Sequence, residues 1–267
     1  MRYSAGMTID NAHIPTTFDD LIAEAMAAPT PGWDFSWLNG RATEERPSWG
    51  YQRLMSERLA GASAALDLQT GCGEVLAGAK KFPPTMAATE WYPPNVALAT
   101  KLLHPRGVVL VATTDEPVLP FADGAFDLVT SRHPHDVGGW WPEIARVLTP
   151  GGTYFAQHNG PDTMLELIEF FLGPQPGAGA ERQPEAERQE VEAAGLQMID
   201  QRVEHLRVEF FDIGAVIYWL RKVIWAVPDF TVDRYRDRLL DLHQSIQDDG
   251  PFVTRAIRML VEARKPG

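Results

Sequence analysis

Between Ala64 and His158 the chain alternates short apolar runs with stretches of helical spacing. The runs lie at residues 65–68, 85–90, 108–113, 126–131 and 153–158. Helix-compatible stretches lie at 74–81, 95–103 and 140–148. Strands separated by helices run parallel, because each crossover returns the chain to the same end of the sheet. This pattern predicts an α/β, doubly wound, mainly parallel sheet with both faces covered. A ligand of such a sheet sits beyond the carboxyl ends of the strands.

The loops at those ends carry the informative residues. The first run ends in Asp67-Leu68-Gln69-Thr70-Gly71-Cys72-Gly73-Glu74. Glycines in a strand–turn–helix unit let a ligand approach the backbone, and the N–H groups opening the helix face that ligand. Glu90 ends the second run, at the spacing of an acid that holds ribose hydroxyls. Thr114-Asp115-Glu116 follows the third run and precedes Leu119-Pro120-Phe121. Phe126-Asp127-Leu128-Val129 opens the fourth, and Arg146-Val147-Leu148-Thr149-Pro150-Gly151-Gly152 leads into the fifth.

Composition narrows the partners. The net charge is −12, so a small-molecule substrate, and not nucleic acid, is the expected partner of this chain. The most basic stretch, 232–238, interleaves aspartates with its arginines and reads as a solvated helix face. No apolar run approaches the roughly 20 residues of a membrane span. Met1 to Asp19 shows no secretory-signal pattern, and a cytoplasmic location is expected. Cys72 is the single cysteine, which excludes a disulfide framework within the chain. His133, Pro134, His135 and Asp136 lack well-placed further ligands, so no metal is expected.

The flanks read as additions to the sheet. Residues 18–28 suit an amphipathic helix, with Thr17 as N-cap and Pro29 and Pro31 as stops. Trp33, Phe35, Trp37 and Trp49 follow, either as a cover over a pocket or as a clasp on the core. Residues 49–59 read as the helix leading into the sheet. Residues 173–184 form a glycine- and proline-rich loop, and 185–194 a polar helix stopped by Gly195. A sixth strand begins at 196–199 and continues at 203–208 after a bend. Residues 211–227 are apolar with helical spacing, 235–246 are an amphipathic helix, and 252–263 suit a last, antiparallel strand.

Taken in order, these motifs resemble class I S-adenosylmethionine-dependent methyltransferases. The matching segments are the turn 67–74, the stretch 119–129 and the stretch 143–152. The resemblance implies a seven-stranded Rossmann-like sheet with an antiparallel last strand. It also implies one domain over 1–267. Within it, 1–60 would be an N-terminal helical cover and 61–160 the cofactor-binding core. Residues 161–267 would form a C-terminal half, with a substrate-side insertion at about 209–250 before the last strand. By the same resemblance Asp67, Gly71 and Gly73 border the methionine moiety of S-adenosylmethionine. Glu90 binds the ribose and Trp91 covers the adenine. Asp115 meets the adenine amino group with Glu116 nearby, and Ser131 and Arg132 line the floor beneath the sulfonium. Gln69 also falls in this set, where many family members carry glycine.

The implied reaction moves a methyl group to an O, N or C atom of a small-molecule acceptor by direct displacement. Such a reaction needs alignment and exclusion of water, and some acceptors need a base. His133 and His158 follow the fourth and fifth strands and are the candidate catalytic residues. Two other readings stand beside this one. The first is an inactive protein of the same fold that keeps S-adenosylmethionine as a structural or regulatory ligand. The second is a nicotinamide-dependent oxidoreductase, which predicts a glycine where Leu76 stands.

Overall fold

The computed structural model describes residues 17–30, 32–135, 137–177 and 183–267. Most of the stretch read for a secretion signal, the helix stop Pro31, Asp136 and the middle of the 173–184 loop lie outside them. The strands are β1 (Ala42–Glu44), β2 (Ala64–Leu68), β3 (Thr85–Glu90), β4 (Val109–Ala112), β5 (Phe126–Arg132), β6 (Leu148–Asn159), β7 (Gln197–Phe210) and β8 (Phe252–Arg264). They form one sheet in the order β1-β7-β8-β6-β5-β2-β3-β4. The pairs from β6 through β5, β2 and β3 to β4 are parallel, while β8 lies antiparallel between β6 and β7. The sequence of connections reverses between β2 and β5, and crevices for ligands open at such points.

The helices are α1 (Phe18–Ala27), α2 (Tyr51–Gly61), α3 (Glu74–Ala77), α4 (Pro93–Leu103), α5 (Trp141–Val147), α6 (Leu165–Leu172), α7 (Pro184–Ala193), α8 (Ile213–Lys222) and α9 (Arg236–Asp249). Four of the five β2 residues are buried, as a strand covered on both faces requires. Its alternate side chains serve two layers. Leu66 and Leu68 pack with Trp141, Ile144 and Val191 beneath α5 and α7. Ala65 joins Met55, Leu59, Leu76 and Leu103 on the opposite face. A third core, with Ile213, Ile217, Leu220, Leu239 and Leu21, gathers α8, α9 and α1 over β7 and β8.

Several boundaries differ from expectation. The helix after the glycine turn ends at Ala77, where the chain turns at Gly78 instead of continuing to residue 81. The sixth expected strand is one strand, β7, with a register shift between Met198 and Asp200. Thr17 caps α1 as expected, its side chain accepting from Asp20 N at 3.2 Å. The added edge strand β1 comes from the N-terminal cover and pairs with β7, so eight strands are seen where seven were expected. Helix α6 was also unexpected. Its sequence, LELIEFFL, is so apolar that its amphipathic stripe is narrow.

Candidate active site

The turn after β2 is sewn to the end of β3. Thr70 N donates to Thr89 O at 2.8 Å, and Gln69 N donates to Thr89 Oγ1 at 3.1 Å. Glu90, only 3% exposed, accepts from Gly71 N at 2.8 Å through one oxygen. Its other oxygen accepts from Trp91 N at 2.9 Å and Tyr92 N at 2.8 Å. A carboxylate has about four acceptor positions, and the Asn95 side chain also donates to this one. Burial pushes the Glu90 carboxyl up, and the three backbone N–H groups pull against that shift. Trp91 stands beside it, 41% exposed, with its ring 5.9 Å from that of Tyr92.

The glycines earn their places differently. Gly71 has φ +64, and a Cβ there would lie 3.7 Å from Trp33 Cδ1, so the side chain of Trp33 rests over the turn. Gly73 has φ +88, and a Cβ there would lie 2.9 Å from Leu103 Cδ1, so its bareness serves the packing of α4. Asp67 is buried and accepts from Thr130 Oγ1 at 2.5 Å. Burial raises its carboxyl to about 6, partly offset by that hydrogen bond. Burial also pushes the Cys72 thiol up.

Gln69 adopts φ 53, the left-handed region that favours glycine. Its amide accepts from His135 N at 2.6 Å and donates to His135 O at 3.2 Å. The side chain therefore bridges the ends of β2 and β5. Ser131 is fully buried, and its hydroxyl donates to Leu68 O at 2.7 Å. Arg132 ends β5. Asp115 and Glu116 lie exposed in the loop after β4.

The two candidate histidines occupy different settings. His158 is buried, with Nδ1 at 2.5 Å from Glu187 Oε1 and Nε2 at 2.9 Å from Tyr154 OH. Both ring nitrogens are engaged within the core. His133, at φ 57, sits on the other face of the sheet. Trp49 Nε1 donates to Gln157 Oε1 at 2.8 Å, which turns the Gln157 amide nitrogen toward His133 Nε2 at 3.2 Å. An amide nitrogen only donates, so His133 Nε2 accepts and the ring proton belongs on Nδ1. Among the described residues that Nδ1 has no hydrogen-bond partner. Burial, then the charges of Arg258 and Arg132, hold His133 well below the usual imidazole range. The neutral ring thus offers a donor rather than a base.

The aromatic N-terminal segment packs on α8 and the chain that follows it. Trp37 stacks on Tyr218 of α8 at 4.6 Å. Arg41 lies 4.0 Å over the Trp37 ring and forms a two-point pair with Asp212 at 2.7 and 2.8 Å. Asp212 also caps α8 by accepting from Ala215 N at 2.9 Å. Trp33 meets Trp225 at 5.7 Å. One residue at this edge escaped sequence reasoning: Lys222, at the end of α8. It lies in an apolar stretch read as packing, where Arg221 and Lys222 are the two cations.

The stretches 119–129 and 143–152 are brought together structurally. Arg146 donates to Leu119 O at 2.9 Å and Phe121 O at 2.7 Å, and pairs with Glu143 at 2.7 Å. Glu143 in turn accepts from Leu119 N at 2.7 Å. Among the described residues, no three His, Cys, Asp or Glu side chains gather as a metal site. No helix of the described residues is long and apolar enough to cross a membrane.

Comparison with known proteins agrees with this geometry. Residues 66–156 match the family described as methyltransferase domain. Over 122 residues the chain is 37% identical to the demethylmenaquinone methyltransferase of Thermus thermophilus, covering 43% of this chain. The matched stretch spans about half of that relative, 49% of its length. A crystal structure of a proposed methyltransferase from Bacillus halodurans superposes with a TM-score of 0.60 at 19% identity, over 81% of this chain and 99% of that one. The (4+2) cyclase SpnF superposes with a TM-score of 0.51 at 19% identity, over 80% of this chain and 79% of that one. Glycine turn, strand order and family match thus converge on residues 66–156, which are similar to the methyltransferase domain family.

Proposed function

We propose that the chain transfers a methyl group from S-adenosylmethionine to a small-molecule acceptor. The observation that carries this reading is the turn 67–73 joined to Glu90 through Gly71 at 2.8 Å, at the carboxyl edge where the connections reverse. The residues fit the cofactor. Gly71, at φ +64, puts no side chain in the way of a ligand at the turn, and Glu90 presents a carboxylate, the chemistry that accepts ribose hydroxyls. When bound, S-adenosylmethionine supplies an electrophilic methyl on a sulfonium.

The chain's own residues would then divide the work. Gly71 and Gly73 let the backbone approach the methionine moiety, with Asp67 bordering it from beneath. Glu90 holds the ribose, Trp91 lies against the adenine, and Asp115 and Glu116 approach its edge. Ser131 and Arg132 form the floor. Trp33 and Trp225 exclude water from the crevice, which direct displacement requires. His133, with its proton on Nδ1, orients an acceptor oxygen by donating to it. His158 supports the strand that carries Gln157. The test is calorimetric titration with S-adenosylmethionine and S-adenosylhomocysteine, followed by transfer of labelled methyl to a panel of small acceptors. Binding of both with labelled product supports the reading; no binding of either at high micromolar concentration overturns it.

A second reading rests on Gln69. Its two-point bridge to His135 lies across the carboxyl ends of β2 and β5, beside the place assigned to the methionine moiety. In that reading the chain binds the cofactor without transferring its methyl, and the fold serves another role, since the name of SpnF shows that one fold hosts unlike chemistries. Binding of S-adenosylmethionine without methyl transfer to any acceptor favours it.

A further inference from the structure

Lys222 is 7% exposed, and its ammonium has no hydrogen-bond partner among the described residues. A buried, unpaired ammonium is costly, and proteins keep one where a ligand completes it. Its surroundings are aromatic: Nζ lies 5.0 Å from the centre of the Phe35 ring and 5.5 Å from that of Tyr218. Rings at this range attract a cation but leave its hydrogen-bonding protons unsatisfied.

Asp34 acts on Lys222 through its charge but, among the described residues, makes no hydrogen bond to it. Asp34 accepts from Ser36 N at 2.8 Å and Ser36 Oγ at 2.9 Å, one bond to each oxygen. Glu90 faces the backbone of Gly71, Trp91 and Tyr92. The Cys72 thiol lies within electrostatic range of Lys222, but burial keeps it protonated. Phe35 stacks at 6.4 Å on Trp33, whose Cδ1 lies 3.7 Å from where a Cβ at Gly71 would stand, so the notch that holds Lys222 adjoins the glycine turn. Burial also lowers Lys222 itself, and the charge of Asp34 offsets that only in part.

We propose that Lys222 is a carboxylate-binding residue, presented by α8 from its aromatic notch to a ligand in the crevice above Gly71 and Cys72. Two sources of that carboxylate suit the position. One is the amino-acid end of S-adenosylmethionine, which the proposed function places against the turn. The other is an acidic acceptor, because α8 belongs to the insertion expected to shape the acceptor pocket. The first source rests on the cofactor reading; the second does not.

The test compares S-adenosylmethionine with its decarboxylated form by calorimetry, on the full chain and on Lys222→Met. A methionine keeps the bulk of the notch and removes the charge. A charge-assisted hydrogen bond predicts that the full chain binds the decarboxylated form about ten- to a hundredfold more weakly. Lys222→Met should lose a similar factor for the intact cofactor and bind both forms alike. A thermal midpoint for Lys222→Met at or above that of the parent shows that the variant is folded. If both proteins bind the two forms equally, benzoate is titrated into the S-adenosylhomocysteine complex, followed by tryptophan fluorescence. Binding to the parent and not to Lys222→Met then assigns the acceptor as the source. If neither cofactor form binds the parent, the proposed function fails, and benzoate titrated into the free protein still decides the role of Lys222. Loss of carboxylate discrimination in none of these arms overturns the proposal.

Discussion

The two ends of the crevice are built in different ways. At the end proposed for the cofactor, bonds join residues close in sequence: Gly71 to Glu90 across 19 positions and Gln69 to Thr89 across 20. At the end proposed for the acceptor they join distant segments: Trp49 to Gln157 across 108, Arg41 to Asp212 across 171, and Tyr218 to Asp34 across 184. The first end is mostly backbone and one carboxylate. The second is a set of side chains recruited by tertiary packing. A site of the first kind tolerates change in everything but its turn, whereas one of the second kind is free to vary with the acceptor.

The largest expected effect separates the two histidines. Glu187→Ala leaves His158 Nδ1 unpaired in the core and should destabilise the fold by about 3–5 kcal/mol in urea denaturation. S-adenosylhomocysteine affinity measured below the transition should not change. A parallel loss of affinity would show that the core pair reaches the crevice.

Next comes Asp67, whose carboxyl rises from 3.8 to about 6 through burial. The native state then holds this proton more tightly than the unfolded chain does. The stability it lends is full below the unfolded value and is lost as pH rises through the folded one. Relative to Asp67→Asn, the parent should lose up to roughly 3 kcal/mol between about pH 4 and pH 6. Equal pH profiles for the two proteins would contradict this.

Gly73→Ala places a Cβ 2.9 Å from Leu103 Cδ1 at φ +88. Left-handed strain and overpacking together should remove about 2–3 kcal/mol, read as a lower urea midpoint. The smallest effect is at Gln69. Glycine there relieves a strained φ but deletes the bridge to His135, so stability should stay within about 1 kcal/mol of the parent. S-adenosylhomocysteine affinity should stay within about threefold; a gain beyond about tenfold would make the bridge a barrier and favour the second reading.

The difference between the ends also explains what could be read from the chain. Strands β2 to β6, the turn and Glu90 follow from local periodicity and glycine spacing, which lie within each short stretch of chain. The shortness of α3 was not visible, since nothing before Gly78 breaks the helical pattern. Strand β1 escaped because its three residues are held only by β7, far along the chain. His158 sits at a carboxyl edge like His133, but alternation along β6 sends neighbouring side chains to opposite faces. Gln157 therefore reaches His133, while His158 enters the core with Glu187. Lys222 was hidden for a similar reason: α8 reads as packing until the cover residues Asp34 and Phe35 are seen beside it.

The central claim is that S-adenosylmethionine binds on the turn between β2 and β3. Backbone hydrogen exchange with and without saturating S-adenosylhomocysteine tests it most directly. The account predicts slowed exchange at residues 69–74 and 90–92, with the core of β8 unchanged. Slowing elsewhere with those two segments unaffected would contradict it.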